Sequence, residues 1–222
     1  MKKNLKFVAA LAVVLLNTAL IFAQEKTIEK EEFWKIVSAS QSSLIAKPYR
    51  SVSIYEDFEN GRSTPSKSSK SIFEAVPPDM SRKIEETGNQ RKETIRIGSK
   101  RYIKLNNGPW KIDKSGEAYV SGGAVKIESE SFKVTENILL DGKNVDLYEM
   151  KSISKDTGFG SDSAREITRI VTERCWISKD GLPLKSEREY SKPGYVSRYI
   201  LIYEQDPNIK IENPLKRRAS TR

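Results

Sequence analysis

The sequence has 222 residues, with 39 lysines and arginines, 30 aspartates and glutamates, one cysteine and no histidine. The lack of histidine excludes Ser-His-Asp and Cys-His catalysis and histidine-based zinc sites, and one cysteine excludes an internal disulfide and a four-thiolate metal site. Because no glycine pattern matches a phosphate-binding loop or a dinucleotide fold, we expect no enzyme, no metal and no cofactor. The positive charge is spread along the chain, so we expect no nucleic-acid partner and at most peripheral contact with a membrane.

The first 23 residues have the pattern of a secretory signal peptide. Three lysines precede an apolar run over residues 7–16, and a small residue, Ala23, ends the segment. The alternative is a membrane anchor that is retained, but the unbroken run is shorter than the roughly 20 residues that span a bilayer. We therefore expect cleavage between Ala23 and Gln24, and a periplasmic or secreted protein that is soluble after cleavage.

The next element is predicted to be a helix over residues 29–46. Phe33, Ile36, Val37 and Leu44 recur at helical spacing, and Pro48 ends the pattern. We expect this apolar stripe to pack on a sheet.

From residue 50 the apolar residues alternate with polar ones, and turn residues separate short segments. This pattern predicts an antiparallel meander without intervening helices. Residues 112–131, which contain several glycines and serines, favour no stable helix. The predicted strands cover residues 51–55, 71–76, 80–86, 92–97, 101–105, 133–140, 145–150, 167–177, 184–190, 195–203 and 208–211.

Together these elements predict one domain over residues 24–214, followed by a basic disordered tail at residues 215–222. The fold class is α+β and mostly β: a single strongly curved antiparallel sheet, or half-barrel, whose concave face is covered by the N-terminal helix. Cys175 lies in a strand-like run and is predicted to be a small buried hydrophobe. The alternative for Cys175 is a reactive thiol or an intermolecular bridge.

Several segments carry a family resemblance. A tryptophan strand with a Gly-x-Pro turn occupies residues 176–185, and it is followed by a long strand at 199–203 and an isoleucine-rich segment ending in Pro214. Upstream, residues 140–148 and 93–110 add an Asp-Gly turn with a tyrosine strand and an Ile-x-Ile-Gly segment that leads to a tryptophan. In this order the segments resemble LolA-like domains, the LolA/LolB superfamily of outer-membrane lipoprotein carriers.

The resemblance implies a half-open sheet whose cavity holds a lipid acyl chain or the anchor of a lipidated protein. We therefore expect a periplasmic, non-enzymatic binder or carrier of such a ligand. The alternative is an envelope protein-interaction or sensor domain on the same fold, with a filled core and no bound lipid.

Alternation within the strands predicts which residues line the cavity, although a slip of one residue in register would exchange the two faces. Phe33 and Trp110 are expected near its mouth or lid. The predicted ligand-binding residues are Phe33, Val52, Ile54, Phe73, Ile84, Ile95, Ile103, Trp110, Leu147, Tyr199 and Leu201.

Overall fold

The computed structural model describes residues 24–113, 126–157 and 166–215. The predicted signal peptide and nearly all of the predicted basic tail lie outside these residues. The cleavage between Ala23 and Gln24 therefore stays a prediction.

The described residues form one helix and twelve strands. In chain order these are β1 (Gln24–Thr27), α1 (Lys30–Ile45), β2 (Tyr49–Glu59), β3 (Lys67–Val76), β4 (Met80–Thr87), β5 (Gln90–Ile97), β6 (Lys100–Leu105), β7 (Lys111–Ile112), β8 (Lys126–Leu140), β9 (Lys143–Thr157), β10 (Glu166–Ser178), β11 (Pro183–Lys192) and β12 (Tyr195–Gln205).

All twelve strands belong to one antiparallel sheet, in the order β1-β8-β9-β10-β11-β12-β2-β3-β4-β5-β6-β7. Two meanders, β2–β7 and β8–β12, are joined by pairing between β12 and β2. The sheet is open, since β1 and β7 form its two edges within the described part of the chain. The predicted mostly-β class, with one antiparallel sheet and one helix, is confirmed.

Helix α1 begins and ends within one residue of its predicted bounds. Glu31 and Glu32 lie in its first turn, where the helix dipole favours negative charge. Phe33 and Leu44, two residues of the predicted apolar stripe, are buried against the sheet, and Ser40 on the same side of the helix is buried with them. Gln205 Nε2 donates a hydrogen bond to the carbonyl of Ser43 at 3.2 Å and ties the last turn to β12.

Strand register assigns side chains to two faces, because paired residues point to the same side of a sheet and successive residues alternate. Helix α1 packs against β8 and β11 on one side, which we call the helix face; we call the other side the opposite face. The finer prediction, that the helix face is concave, stays a prediction.

Each face carries its own apolar core. On the helix face, Phe33 packs with Phe132, Val134 and Met150. On the opposite face, at the other end of the sheet, Ile95 and Tyr102 pack with Ile209 and Ile211 of the C-terminal segment.

The predicted strand at residues 208–211 is wrong. Asp206 accepts a hydrogen bond from the backbone N–H of Asn208 at 2.9 Å and turns the chain out of β12. Ile209 and Ile211 are then buried on the opposite face, where no strand ladder includes them. Their burial, rather than an edge pairing, explains the alternation seen in the sequence.

Three further strands differ from the sequence prediction. β1 was not predicted; it pairs with β8 from Gln24 to Thr27. β2 and β3 extend beyond the predicted strands of residues 51–55 and 71–76, into the segment between them. Of residues 112–131, the structure describes the end of β7 and the start of β8, and residues 114–125 lie outside the described part. No helix among the described residues has both the length and the apolar character needed to cross a bilayer.

Candidate functional site

An open groove of about 550 Å³ lies between α1 and strands β10–β12 on the helix face. This volume is within the roughly 300–1,000 Å³ that is typical of small-molecule sites. We call it the helix groove. Its lining from the helix is Phe33, Trp34, Val37, Ser38 and Gln41, and its lining from the sheet includes Glu173, Cys175, Ser186, Arg188, Tyr199, Leu201 and Tyr203.

Aromatic packing holds the helix side of the groove in place. The Phe33 side chain is 2% exposed, and its ring centroid lies 5.2 Å from that of Phe132 beneath it. The ring of Trp34 packs edge-on against Phe33, with 5.1 Å between centroids. Trp34 nevertheless stays 39% exposed, because it lies beside the buried stripe rather than in it. An apolar ring therefore stands at one edge of the groove.

The floor of the groove is a row of registered neighbours with small or medium side chains. Cys175 pairs with Ser186, and Ser186 pairs with Leu201. Cys175 and Ser186 are too short to fill the space beneath the helix, which explains why a groove remains there. The Ser186 and Tyr203 hydroxyls form a hydrogen bond at 2.9 Å, so these polar groups are partnered.

The floor carries no charge at neutral pH. Burial raises the pKa of the Cys175 thiol to about 12 and is the main cause of the raised pKa of Tyr203. Both groups are protonated under physiological conditions. An apolar ligand therefore meets a neutral floor.

The charged residues Glu173 and Arg188 lie at the rim of the groove, in the register row beside the floor and on the same face of the sheet. The Nε of Arg188 lies 3.1 Å from a carboxylate oxygen of Glu173, and the Arg188 side chain is largely exposed. Tyr199, the register partner of Arg188, is 40% exposed. The open side of the groove thus combines an aromatic ring with a solvated ion pair.

The structure places the predicted ligand-binding residues on both faces of the sheet. Three of them, Phe33, Tyr199 and Leu201, line the helix groove. Phe73 and Ile103 lie farther along the helix face, and the opposite face carries Val52, Ile54, Ile84, Ile95 and Leu147. Trp110 packs against the core around Ile95 and Tyr102.

Sequence reasoning missed four apolar or aromatic residues of the groove. Val37 belongs to the predicted helical stripe, so the sequence carried a signal for it. Trp34 lies one position beside that stripe. Cys175 and Tyr203 lie in strands whose apolar residues fall on both faces, so alternation alone could not assign them.

A second cavity differs from the helix groove because charged residues form much of its lining. A cavity of about 370 Å³ under the C-terminal segment is lined by Arg82, Glu93, Lys104 and Lys210 together with Ile95 and Trp110. Arg82 there lies 3.4 Å from Glu74 and 3.0 Å from Glu93, so its charge is paired. In the described ranges, no three acidic or cysteine side chains are grouped so that they could hold a metal ion.

No protein-family model matches this sequence, and no curated protein matches it. The structure is similar to a DUF1329 family protein from Desulfovibrio piger, with 8% identity and a TM-score of 0.33 over 81% of this chain and 94% of that one. It is also similar to a LolA superfamily protein from Nitrosomonas europaea, with 10% identity and a TM-score of 0.30 over 84% of this chain and 94% of that one. At these values nothing follows about ligand or partner. A LolA superfamily protein is thus among the solved structures to which this chain is similar.

Proposed function

We propose that this protein is an exported, non-enzymatic binder or carrier that holds an acyl chain, from a lipid or a lipidated protein, in the helix groove. The observation that supports the proposal is the groove itself: an open space with aromatic and aliphatic side chains on its helix side and a neutral floor. Its apolar lining includes Trp34, Val37 and Leu201.

Burial of apolar surface would supply the affinity. Each methylene removed from water contributes about 0.8 kcal/mol. Trp34 and Tyr199 stand 39% and 40% exposed at two edges of the groove, and a chain lying between them would cover apolar surface on both sides. The half-exposed rings therefore stabilise the bound state more than the free state.

The rim suits a ligand with a polar end. Arg188 and Glu173 lie where the groove opens to solvent, so a headgroup can stay hydrated there. Buried charge is costly in an apolar site. Four charged residues line the groove: Glu173 and Arg188 form an ion pair at its open side, whereas Arg174 and Glu187 pair with each other at 3.3 Å on the opposite face of the sheet.

Displacement of a fluorescent fatty acid tests the proposal. The protein purified after expression of the full chain should bind the probe. Leu201→Glu should weaken binding at least tenfold, because it places a carboxylate on the groove floor. Ile202→Glu is the matched control, since Ile202 points to the opposite face and is 48% exposed.

Circular dichroism should show that both variants keep the wild-type sheet. Failure of folded wild-type protein to bind any acyl probe would reject the carrier proposal and favour the protein-interaction domain. Equal binding by the two folded variants would reject the helix groove as the site.

A further inference from the structure

The helix face continues beyond the groove into a region that carries mainly basic residues. Helix α1 packs against β8 and β11, whereas β4–β7 lie at the far end of the sheet. Five basic side chains occupy helix-face positions on these four strands, and we call them the basic strip. They are Lys83, Lys92, Arg96, Arg101 and Lys111.

Carboxylates offset only part of this charge. Glu85 lies 2.7 Å from Lys83 and 3.7 Å from Lys92. Asp113 lies 3.2 Å from Arg101. The helix-face positions of β4–β7 and the residue that follows β7 thus hold five cations and two carboxylates, and this region has a net positive charge.

Arg96 and Lys111 are the most available cations of the strip. Both are exposed. Arg96 Nε donates a hydrogen bond to the carbonyl of Gly98 at 3.3 Å, which leaves the positive charge of the guanidinium in place. Leu105, the register partner of Lys92, is 60% exposed. An exposed leucine among cations is the combination found on membrane-surface elements.

The strip and the groove are connected through the sheet. A row of register partners runs from Tyr203 in the groove through Ser51 and Phe73 to Lys83. Because neighbouring strands are about 4.8 Å apart, three steps place Lys83 roughly 14 Å from Tyr203. A single surface contacting the strip would therefore lie on the same face as the groove.

We propose that the basic strip docks the protein on the surface of an anionic lipid membrane. Anionic headgroups attract clustered lysines and arginines, and Leu105 can enter the boundary between headgroups and acyl chains. The inference concerns a surface outside the groove and does not depend on what the groove binds. Single-stranded nucleic acid fits less well, because proteins that bind it use aromatic stacking platforms and the helix-face positions of β4–β7 hold no aromatic residue.

Vesicle co-sedimentation tests the proposal. Wild-type protein should bind vesicles of equal parts phosphatidylcholine and phosphatidylglycerol, should not bind pure phosphatidylcholine vesicles, and should dissociate in high salt. The double variant Arg96→Gln/Lys111→Gln should bind the anionic vesicles roughly 30-fold more weakly, since each basic residue near an anionic surface contributes to binding.

Arg91→Gln/Lys100→Gln is the matched control, because Arg91 and Lys100 are exposed on the opposite face of β5 and β6 and the net charge changes equally. Binding close to wild type by the control supports docking through the strip. Equal losses in the two folded double variants, or no binding of anionic vesicles by wild type, would overturn the proposal. So would a strip variant that keeps vesicle binding and loses binding of a single-stranded oligonucleotide.

Discussion

Burial changes the chemistry of Cys175. Removal from water raises the pKa of its thiol from 9.0 to about 12, because a thiolate is poorly solvated there. The thiolate is the reactive form. At neutral pH we therefore expect the native protein to react with Ellman's reagent much more slowly than the protein unfolded in urea. Equal rates in the two states would contradict a buried thiol on the groove floor.

The same shift predicts how stability depends on pH. The unfolded thiol loses its proton near pH 9.0, whereas the native thiol keeps it up to about pH 12. Since the native state binds more protons in this window, the contribution of Cys175 to the free energy of unfolding falls as pH rises through it. Urea denaturation should show a shallower decline for Cys175→Ala than for wild type. Identical slopes would contradict the shift.

Cys175 also shows how much about a single residue can be predicted from the sequence. The burial of Cys175 was predicted correctly, since an alternating strand offers a cysteine a buried side. Its position on the groove floor could not be predicted, because that depends on Ser186 and Leu201 in two neighbouring strands. Register between strands is a property of the folded sheet.

At the scale of elements, two adjacent residues of helix α1 are expected to have different roles: Phe33 stabilises the fold and Trp34 contacts the ligand. Phe33→Ala should lower the free energy of unfolding by about 3–5 kcal/mol, because it removes a buried ring from the core around Phe132. Trp34→Ala should lower it by only about 1 kcal/mol, the value of one aromatic contact. Trp34→Ala should nevertheless weaken binding of the acyl probe.

Chemical denaturation and probe titration of the same samples check this pair. Equal losses of stability would mean that Trp34 belongs to the core. Unchanged probe binding by Trp34→Ala would show that the helix side of the groove does not contact the ligand.

The C-terminal segment gives a second element-scale prediction. Ile209 and Ile211 are buried against Ile95 and Tyr102, so Ile209→Ala and Ile211→Ala should each cost about 2–5 kcal/mol in urea denaturation. Lys210→Ala is the control, since Lys210 lies between them and is exposed. A small effect of both isoleucine variants would contradict the packing of this segment on the sheet.

Local signals account for the elements that were predicted well. The helical spacing of apolar residues and Pro48 predicted α1, and alternation between turns predicted most strands. The segment at residues 208–211 shows the limit of this approach. Alternation of Ile209 and Ile211 describes any extended chain with one buried side, whether or not it pairs with a neighbour.

At the scale of the whole molecule, the pairing of β12 with β2 decides the architecture. It joins residues 195–205 to residues 49–59, far apart in the sequence, and brings two meanders into one sheet. No local pattern specifies such a pairing. The sequence therefore predicted one antiparallel sheet, but it did not predict the strand order or that the two cores lie on opposite faces.

The same limit applies to the predicted lining of the cavity. Val52 and Phe73 were both chosen as the apolar members of their strands, yet the register places them on opposite faces. Strands that carry apolar residues on both sides leave the choice of face to packing. The position of α1 determines which side of the sheet is the helix face. The packing of α1 on the sheet is a tertiary contact, which alternation within a strand does not specify.

Native mass spectrometry of the protein, isolated gently from cells that export it, tests the central claim most directly. We predict a folded protein that carries additional mass matching one acyl-chain lipid. That mass should be retained by Ile202→Glu, whose substitution lies on the opposite face, and lost from Leu201→Glu, whose substitution lies on the groove floor. A folded wild-type protein that shows only the mass of its own chain would contradict the claim that the helix groove binds an acyl chain.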